Sequence, residues 1–247
     1  MHRPIAVAAV ALAAQLAAGL PATAQPLTIP EAVYPTLPAA AANAAGFVPA
    51  GWRQELQARG DLNEDGIDDM ALLLRDQSPA NVLDNKGLGP RRFDTNPRLL
   101  AVAFGQAGGG YRLVAEDHRL VRRPTYPTQE DPIEGAGDLA IRRGTLVVRM
   151  HLFSNAGSYG TAQPSFTLRW QGGRLELIGY DNVQVDRGSG AMETLSVNYS
   201  VGRASRITGR IDTDLTQTRH ITLQQRPLLA LREIGDGIDF DPGLPRR

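Results

Sequence analysis

The chain has 247 residues, with 26 basic and 26 acidic side chains and no cysteine. Its basic residues are spread evenly, so it carries no electrostatic footprint for nucleic acid or for an anionic membrane. The lack of cysteine excludes disulfides, zinc–thiolate sites and thiol nucleophiles.

The N-terminus divides into three parts. Met1-His2-Arg3 is short and positively charged, and Ile5–Leu20 is almost wholly Ala, Val and Leu, interrupted only by Gln15 and Gly19. Pro21 then breaks the run before the small residues Ala22-Thr23-Ala24. That order predicts a secretory signal peptide over residues 1–24, cleaved after Ala24. The mature chain is then expected in the periplasm or outside the cell, with no membrane span left. With no cysteine after the apolar run, a lipid anchor is not expected.

Residues 25–50 are a Pro- and Ala-rich lead, with Pro26, Pro30, Pro35, Pro38 and Pro49 around Ala39–Ala42. Prolines at this density forbid a long helix, leaving room for a turn or two between Pro38 and Gly46. The lead is expected to be partly ordered. Residues 51–247 read as one β domain, a length that suits a single all-β unit.

From Trp52 onward, short alternating runs dominate. Leu195, Val197, Tyr199 and Val201 alternate with Ser196, Asn198 and Ser200. Phe166, Leu168 and Trp170 form a second such face, Val148, Met150 and Leu152 a third, and Tyr111, Leu113 and Ala115 a fourth. Strand side chains point to opposite faces in turn, so each run buries one side and wets the other. Glycine turns separate the runs: Gly108-Gly109-Gly110, Arg143-Gly144, Gly172-Gly173, Gly188-Ser189-Gly190 and Gly202-Arg203. They predict hairpins of 99–105 with 111–117, 139–143 with 145–153, 165–171 with 174–180, and 194–201 with 203–211. No segment keeps helical spacing. The expected fold is all-β, an antiparallel hairpin meander arranged as a sandwich, an open barrel or a partial propeller. Residues 76–98 and 118–138 read as surface loops.

One motif carries chemistry. Residues 61–69 read D-x-N-x-D-G-x-x-D, from Asp61 to Asp69. Calcium prefers six to eight hard oxygens, and alternate positions one, three and five bring the Asp61, Asn63 and Asp65 oxygens around one point. Gly66 permits a sharp turn that aims the Ile67 carbonyl inward, and Asp69 closes the shell. Glu64 and Asp68 are expected to face solvent. The loop departs from an EF-hand, with Asp68 where that loop has an apolar residue and Leu72 where it has a bidentate acid. Leu72, Leu73 and Leu74 continue instead as a strand, so the loop links two strands.

On Gly60-Asp61-Leu62-Asn63, Asp65-Gly66 and Asp69 the segment resembles the FG-GAP and VCBS-type calcium hairpins of secreted proteins, present here as a single copy. The resemblance implies Ca2+ held by Asp61, Asn63, Asp65, the Ile67 carbonyl and Asp69, in a structural role. It implies no catalytic activity.

Nothing else in the sequence assembles a catalytic set. His118, His151 and His220 have no metal-ligand spacing, and the serines in glycine turns do not form a strand-to-helix nucleophile elbow. Acid pairs such as Glu130-Asp131 and Asp212/Asp214 are candidates for glycoside hydrolysis. Trp52, Phe153, Tyr159, Phe166 and Trp170 fall mostly on faces expected to be core; Tyr159, in the loop Asn155–Thr161, is the best candidate for an exposed contact, although a tyrosine covering the edge of the core is the favoured reading. The leading expectation is a calcium-stabilised module that binds a periplasmic or cell-wall protein or a glycan. A glycan or cell-wall hydrolase using loop carboxylates and a structural envelope component are the alternatives.

Overall fold

The computed structural model describes residues 27–245. The signal sequence expected over residues 1–24, with its cleavage point, lies outside that range. In chain order the strands are β1 (Ala40–Ala41), β2 (Trp52–Gly60), β3 (Asp69–Asp76), β4 (Val82–Asp84), β5 (Arg92–Asp94), β6 (Arg98–Gly105) and β7 (Tyr111–Asp117). They continue with β8 (Leu139–Arg142), β9 (Thr145–Arg149), β10 (Gly160–Gln171), β11 (Arg174–Asp186), β12 (Ala191–Asn198), β13 (Arg203–Arg210) and β14 (Thr213–Thr222). A single α turn, α1 (Leu231–Ile234), follows. No helix among the described residues is long and apolar enough to cross a membrane.

The fold is all-β and every strand pair is antiparallel, as the alternation predicts. One sheet runs β1-β7-β6-β3-β2, and a larger one is a meander in chain order from β8 to β14. All four hairpins expected from the glycine turns are present. Arg143 and Gly144 both take positive φ, 51° and 68°, as a two-residue turn between β8 and β9 requires. The inner faces of the two sheets share one core. Leu73, Leu100, Val102 and Phe104 pack there with Leu146, Phe166, Leu168 and Leu177.

The first sheet is covered on its other side as well. Leu37, Ala44 and Phe47 of the Pro/Ala-rich lead pack on Met70, Leu72, Leu74, Leu99, Ala101 and Ala103. Within the lead, Ala40–Ala41 pairs with β7 and Ala44–Phe47 makes one 3₁₀ turn capped by the Asn43 side chain. β3 and β6 are therefore buried on both faces, which is why Met70–Leu74 and Leu99–Phe104 are continuous apolar runs. The interval 76–98, expected as plain surface loop, contains the small β4–β5 hairpin.

Two bulges change which way side chains point. In β7, Ala115 pairs with Val102 and Leu113 with Ala103, leaving Val114 extra. Tyr111 and Leu113 consequently pack on the outer cluster and Ala115 on the inner one, so the single face expected for these three residues is split. In β2, Gln54 pairs with Leu74 and Leu56 with Leu73, so Glu55 is the unpaired residue.

Glu55 is aimed by that bulge at two arginines lying directly opposite each other, Arg75 on β3 and Arg98 on β6. Arg98, only 1% exposed, donates to Glu55 through Nε at 2.6 Å and Nη2 at 3.1 Å, and through Nη2 to Asp131 at 2.6 Å. Arg75 Nη1 reaches the same two carboxylates at 3.1 and 3.0 Å, and its Nη2 lies 3.1 Å from Asp94. Burial pushes the Glu55 and Asp131 carboxyls up, but the arginine charges and hydrogen bonds outweigh it and hold both below the usual range.

A carboxylate whose folded pKa is depressed stabilises the fold above its unfolded pKa, and that contribution disappears as pH falls through the folded value. Stability to urea is therefore expected to drop steeply below about pH 4. Glu55→Gln should cost about 3 kcal/mol near neutral pH, because it strands buried guanidinium charge, and should flatten the acid limb of the stability curve. An unchanged acid limb in the variant would show that Glu55 is not the group responsible.

Candidate metal loop and binding groove

The loop between β2 and β3 is organised by its own side chains. Asp61 Oδ1 and Oδ2 accept from the backbone N–H groups of Asp65 and Gly66 at 3.2 and 2.8 Å. Asn63 Oδ1 also accepts from Asp65 N, at 3.2 Å, and Asp65 Oδ1 accepts from Ile67 N at 2.8 Å. Asn63 Nδ2 donates to Asp65 Oδ2 at 2.9 Å, so these two side chains meet. Glu64 and Gly66 both take positive φ, 62° and 82°. Gly66 does so without strain, and the reversal it permits leaves the Glu64 and Asp68 side chains exposed, as expected.

Asp69 behaves differently from the other predicted ligands. It is fully buried at the start of β3, where Oδ2 accepts from Leu62 N at 2.7 Å and Oδ1 from Gly105 N at 2.9 Å. Asp69 thus ties the loop, anchored in the core by Leu62, to the end of β6. Gly105 allows the approach, since a Cβ there would stand 2.5 Å from the Asp68 carbonyl oxygen. Burial pushes the Asp69 carboxyl up, the Leu62 and Gly105 N–H groups pull it back, and the nearby charge of Asp65 adds to the rise.

The donor set has the hard-oxygen chemistry that calcium takes. The carboxylate oxygens that accept one backbone N–H retain a second lone pair. The side chains do not converge, however, on a ready-made cage: among the described residues no three His, Asp or Glu groups gather around one point. Asp61, Asn63 and Asp65 are grouped at the tip, and Asp69 is turned into the fold.

Several of the remaining titratable candidates are engaged in structural contacts. His151 Nε2 lies 3.0 Å from Asp138 Oδ1, and Asp138 accepts from the N–H groups of Glu134 and Gly135. His118 stacks on Tyr34 with ring centroids 4.2 Å apart, and His220 is exposed on β14. Of the acid pairs proposed for hydrolysis, Asp131 is clamped by two arginines and Asp212 by Arg210 at 2.8 Å. The Arg210 hydrogen bond and charge hold Asp212 below its usual range. Neither has the raised pKa of a general acid.

Sequence reasoning missed a groove of about 420 Å³ built from segments distant in the chain. The 118–138 insertion supplies Tyr126, Gln129 and Glu130, and the ends of β10 and β11 supply Thr161 and Gln184. Tyr159, expected to cover the edge of the core, instead lies between the lining residues Ser158 and Gly160 and is 71% exposed, with Tyr126 at 57%. Arg187 rigidifies this loop. Its guanidinium sits 4.2 Å from the Phe153 ring centroid and donates to the carbonyls of Ser154, Ser158 and Tyr159. Only Tyr159 gave a sequence signal for this surface. Of the other aromatics, Phe166 is fully buried and Trp170 packs edge-on against Phe104, while Trp52 packs on the outer cluster. A second cavity, about 530 Å³, lies beneath the C-terminal segment, which Tyr199 holds by donating to the Pro242 carbonyl at 3.1 Å.

Comparison with known proteins finds no matching family model, no matching curated protein and no matching solved structure.

Replacing Asp69 by Ala should leave the Leu62 and Gly105 N–H groups buried without acceptors, costing about 3 kcal/mol. The loss is expected in chelator as well as in calcium, with faster amide exchange at Gly105. A loss seen only in calcium would assign Asp69 to the ion and not to the backbone.

Proposed function

We propose that this chain is an exported, calcium-stabilised β-domain of the periplasm or cell exterior, acting as a binding module for a cell-wall protein or glycan. The observation that carries the binding half is the groove lined by the exposed Tyr126, with the exposed Tyr159 next to its lining residues and Arg187 bonded to the Tyr159 loop. Exposed aromatics on a pre-ordered loop bind at low entropic cost, because little remains to be immobilised. The groove lining is mixed, with Gln129, Gln184 and Thr161 beside Phe153, which suits a polyhydroxylated or peptide surface more than a purely apolar one.

The calcium half rests on the spacing of Asp61, Asn63 and Asp65, on the reversal at Gly66, and on the resemblance of these residues to FG-GAP and VCBS-type hairpins. In this reading the ion joins the three loop oxygens and the Ile67 carbonyl. Asp69, the fifth ligand implied by the resemblance, is turned into the fold here and would contribute its negative charge from behind. We read the ion's role as structural: the Glu64 side chain lies beside Gly144 of the β8–β9 turn, so ordering the loop tip would brace that turn.

Calcium at tenfold its dissociation constant should add about 1.4 kcal/mol of stability, visible as a raised melting temperature that chelator reverses. Asp65→Ala should abolish that difference, while a calcium-independent melting curve in the parent chain would remove the ion from the account. Tyr159→Ala should weaken retention on isolated cell-wall sacculi or by a periplasmic partner about thirtyfold, the effect of losing an aromatic anchor. Equal retention of parent and variant would move the binding surface elsewhere. Turnover of wall polymer by the purified chain would replace the binding reading with a hydrolytic one.

A further inference from the structure

The segment after α1 crosses the inner face of the larger sheet without joining it. Asp236–Gly243 contains no strand and no helix. Its one backbone N–H bonded to a carbonyl among the described residues is that of Gly237, to Leu120 O at 3.1 Å. The N–H groups of Ile238 and Gly243 are satisfied from within, by the Asp236 and Asp241 side chains. Side chains do the holding. The Phe240 ring lies 5.2 and 5.1 Å from the Phe166 and Tyr180 rings, and Arg122 Nη1 lies 2.8 and 3.0 Å from Asp236 and Asp239. A strap held in this way opens at lower free energy than the sheet beneath it.

The strap fills only part of its space. Ile238 lines the 420 Å³ groove and Phe240–Gly243 line the 530 Å³ cavity, so one segment divides two cavities on one sheet face. The ladder shows what lies between them. Phe166 pairs with Tyr180, Pro164 with Asn182 and Ala162 with Gln184, three successive rows of that face. Phe240 sits on the first row and Ile238 shares the groove with the third, so the strap crosses the second. There Asn182 is 6% exposed, and its Oδ1 has no hydrogen-bond partner among the described residues. Arg123, in the groove lining, likewise keeps a buried Nη1 without a partner. Buried polar atoms left open cost free energy that a better-fitting occupant recovers.

We propose that this face is a docking site for an extended acidic peptide of a partner protein, and that Asp236–Gly243 occupies it in the free chain. The strap displays the pattern that fits. An aliphatic and an aromatic residue two positions apart reach the sheet face, as Ile238 and Phe240 do, and acids meet Arg122, as Asp236 and Asp239 do. Glu130 and Asp186 also line the groove, so acids are selected by position and not by a general positive field. A partner peptide gains over the strap by giving an N–H to Asn182 Oδ1 and a carboxylate to Arg123. This site rests on the binding-module reading above and narrows its partner to a protein segment.

Fluorescence anisotropy with labelled synthetic peptides tests the site. One probe carries the strap's own sequence, residues 235–244. A second, of unrelated sequence, keeps only the acids and the aliphatic-x-aromatic order, and a third scrambles the second. In the parent chain the tethered strap competes at a roughly millimolar effective concentration, so every probe should bind weakly. Phe240→Ala loosens the strap and leaves the sheet face intact, so both patterned peptides should bind about thirtyfold tighter and the scrambled one should not. Asp236→Asn with Asp239→Asn removes the strap's ion pairs without touching the core, and should shift affinity in the same direction. Arg122→Glu also loosens the strap, seen as faster amide exchange at Gly237, but spoils the face and should abolish peptide binding. The docking site is overturned if a folded, loosened chain binds neither patterned peptide, binds only the strap's own sequence, or binds the scrambled peptide equally. Peptide binding that survives Arg122→Glu would overturn it too. Retention on cell-wall sacculi, measured on the same preparations, reports separately on the binding-module reading. Retention without peptide binding sinks the docking site alone, whereas peptide binding without retention upholds it and removes the wall as its target.

Discussion

Two arginines facing each other across the central strands of a buried sheet make an unfavourable pair that the fold must neutralise. Arg75 and Arg98 are direct ladder partners, and Arg98 has almost no contact with solvent. Like charges so placed repel. They are reconciled by Glu55, which the β2 bulge turns toward them, and by Asp131, which arrives from the 118–138 insertion. Asp94, from the other insertion, closes the outer side. A buried ionic cluster contributes less net stability than well-packed apolar residues of the same volume, but breaking it by removing one partner is costly. Its consequence here is positional. Two long insertions with few apolar anchors are fixed to the sheet at one point by charge.

β3 has the same design at both ends. Its middle, Met70–Leu74, packs into two hydrophobic clusters, alternating between the sheet-to-sheet core and the layer made by the lead. Its first residue, Asp69, holds the loop before it and the end of β6, and its seventh, Arg75, holds both insertions. The strand is apolar where it packs and ionic where it meets loops. The acidic loop therefore begins on a rigid base, with Leu62 and Asp69 fixed, and only its tip is free to respond to an ion.

The sequence made the second sheet legible because its strands bury one face, and Phe166, Leu168, Leu195 and Val197 alternate accordingly. The first sheet was harder to read for a physical reason. Coverage by the lead turns alternation into unbroken apolar runs, and the extra residue Val114 flips the face of its own strand. β14 escaped notice for the opposite reason, since a strand wet on both sides has no period at all. At the candidate sites, the spacing of Asp61, Asn63 and Asp65 was visible because a loop is local. The backbone-anchoring role of Asp69 depends on Gly105, 36 residues away, and the groove depends on residues from four separate segments. No local pattern encodes either.

The ionic cluster and the groove are consecutive in the chain, and this links stability to recognition. Gln129, Glu130 and Pro132 line the groove, and Asp131 between them is the residue that both arginines grip. The same insertion is held farther along by His151 on Asp138. That wall of the groove is thus placed mainly by polar contacts, whereas the opposite wall belongs to β10 and β11, whose Phe166, Leu168 and Leu177 are in the core. A wall held by a few charged contacts opens at lower free energy than one held by packed side chains. Tyr126 rides on the first kind of wall, which backbone hydrogen bonds of Thr128, Glu130 and Pro132 also tie to residues 151–155, and Tyr159 stands beside the second. In the binding reading proposed above, such a surface would meet a partner of roughly matching shape. The shape of the groove therefore depends on the charge balance around Arg98 as well as on the residues a ligand would touch.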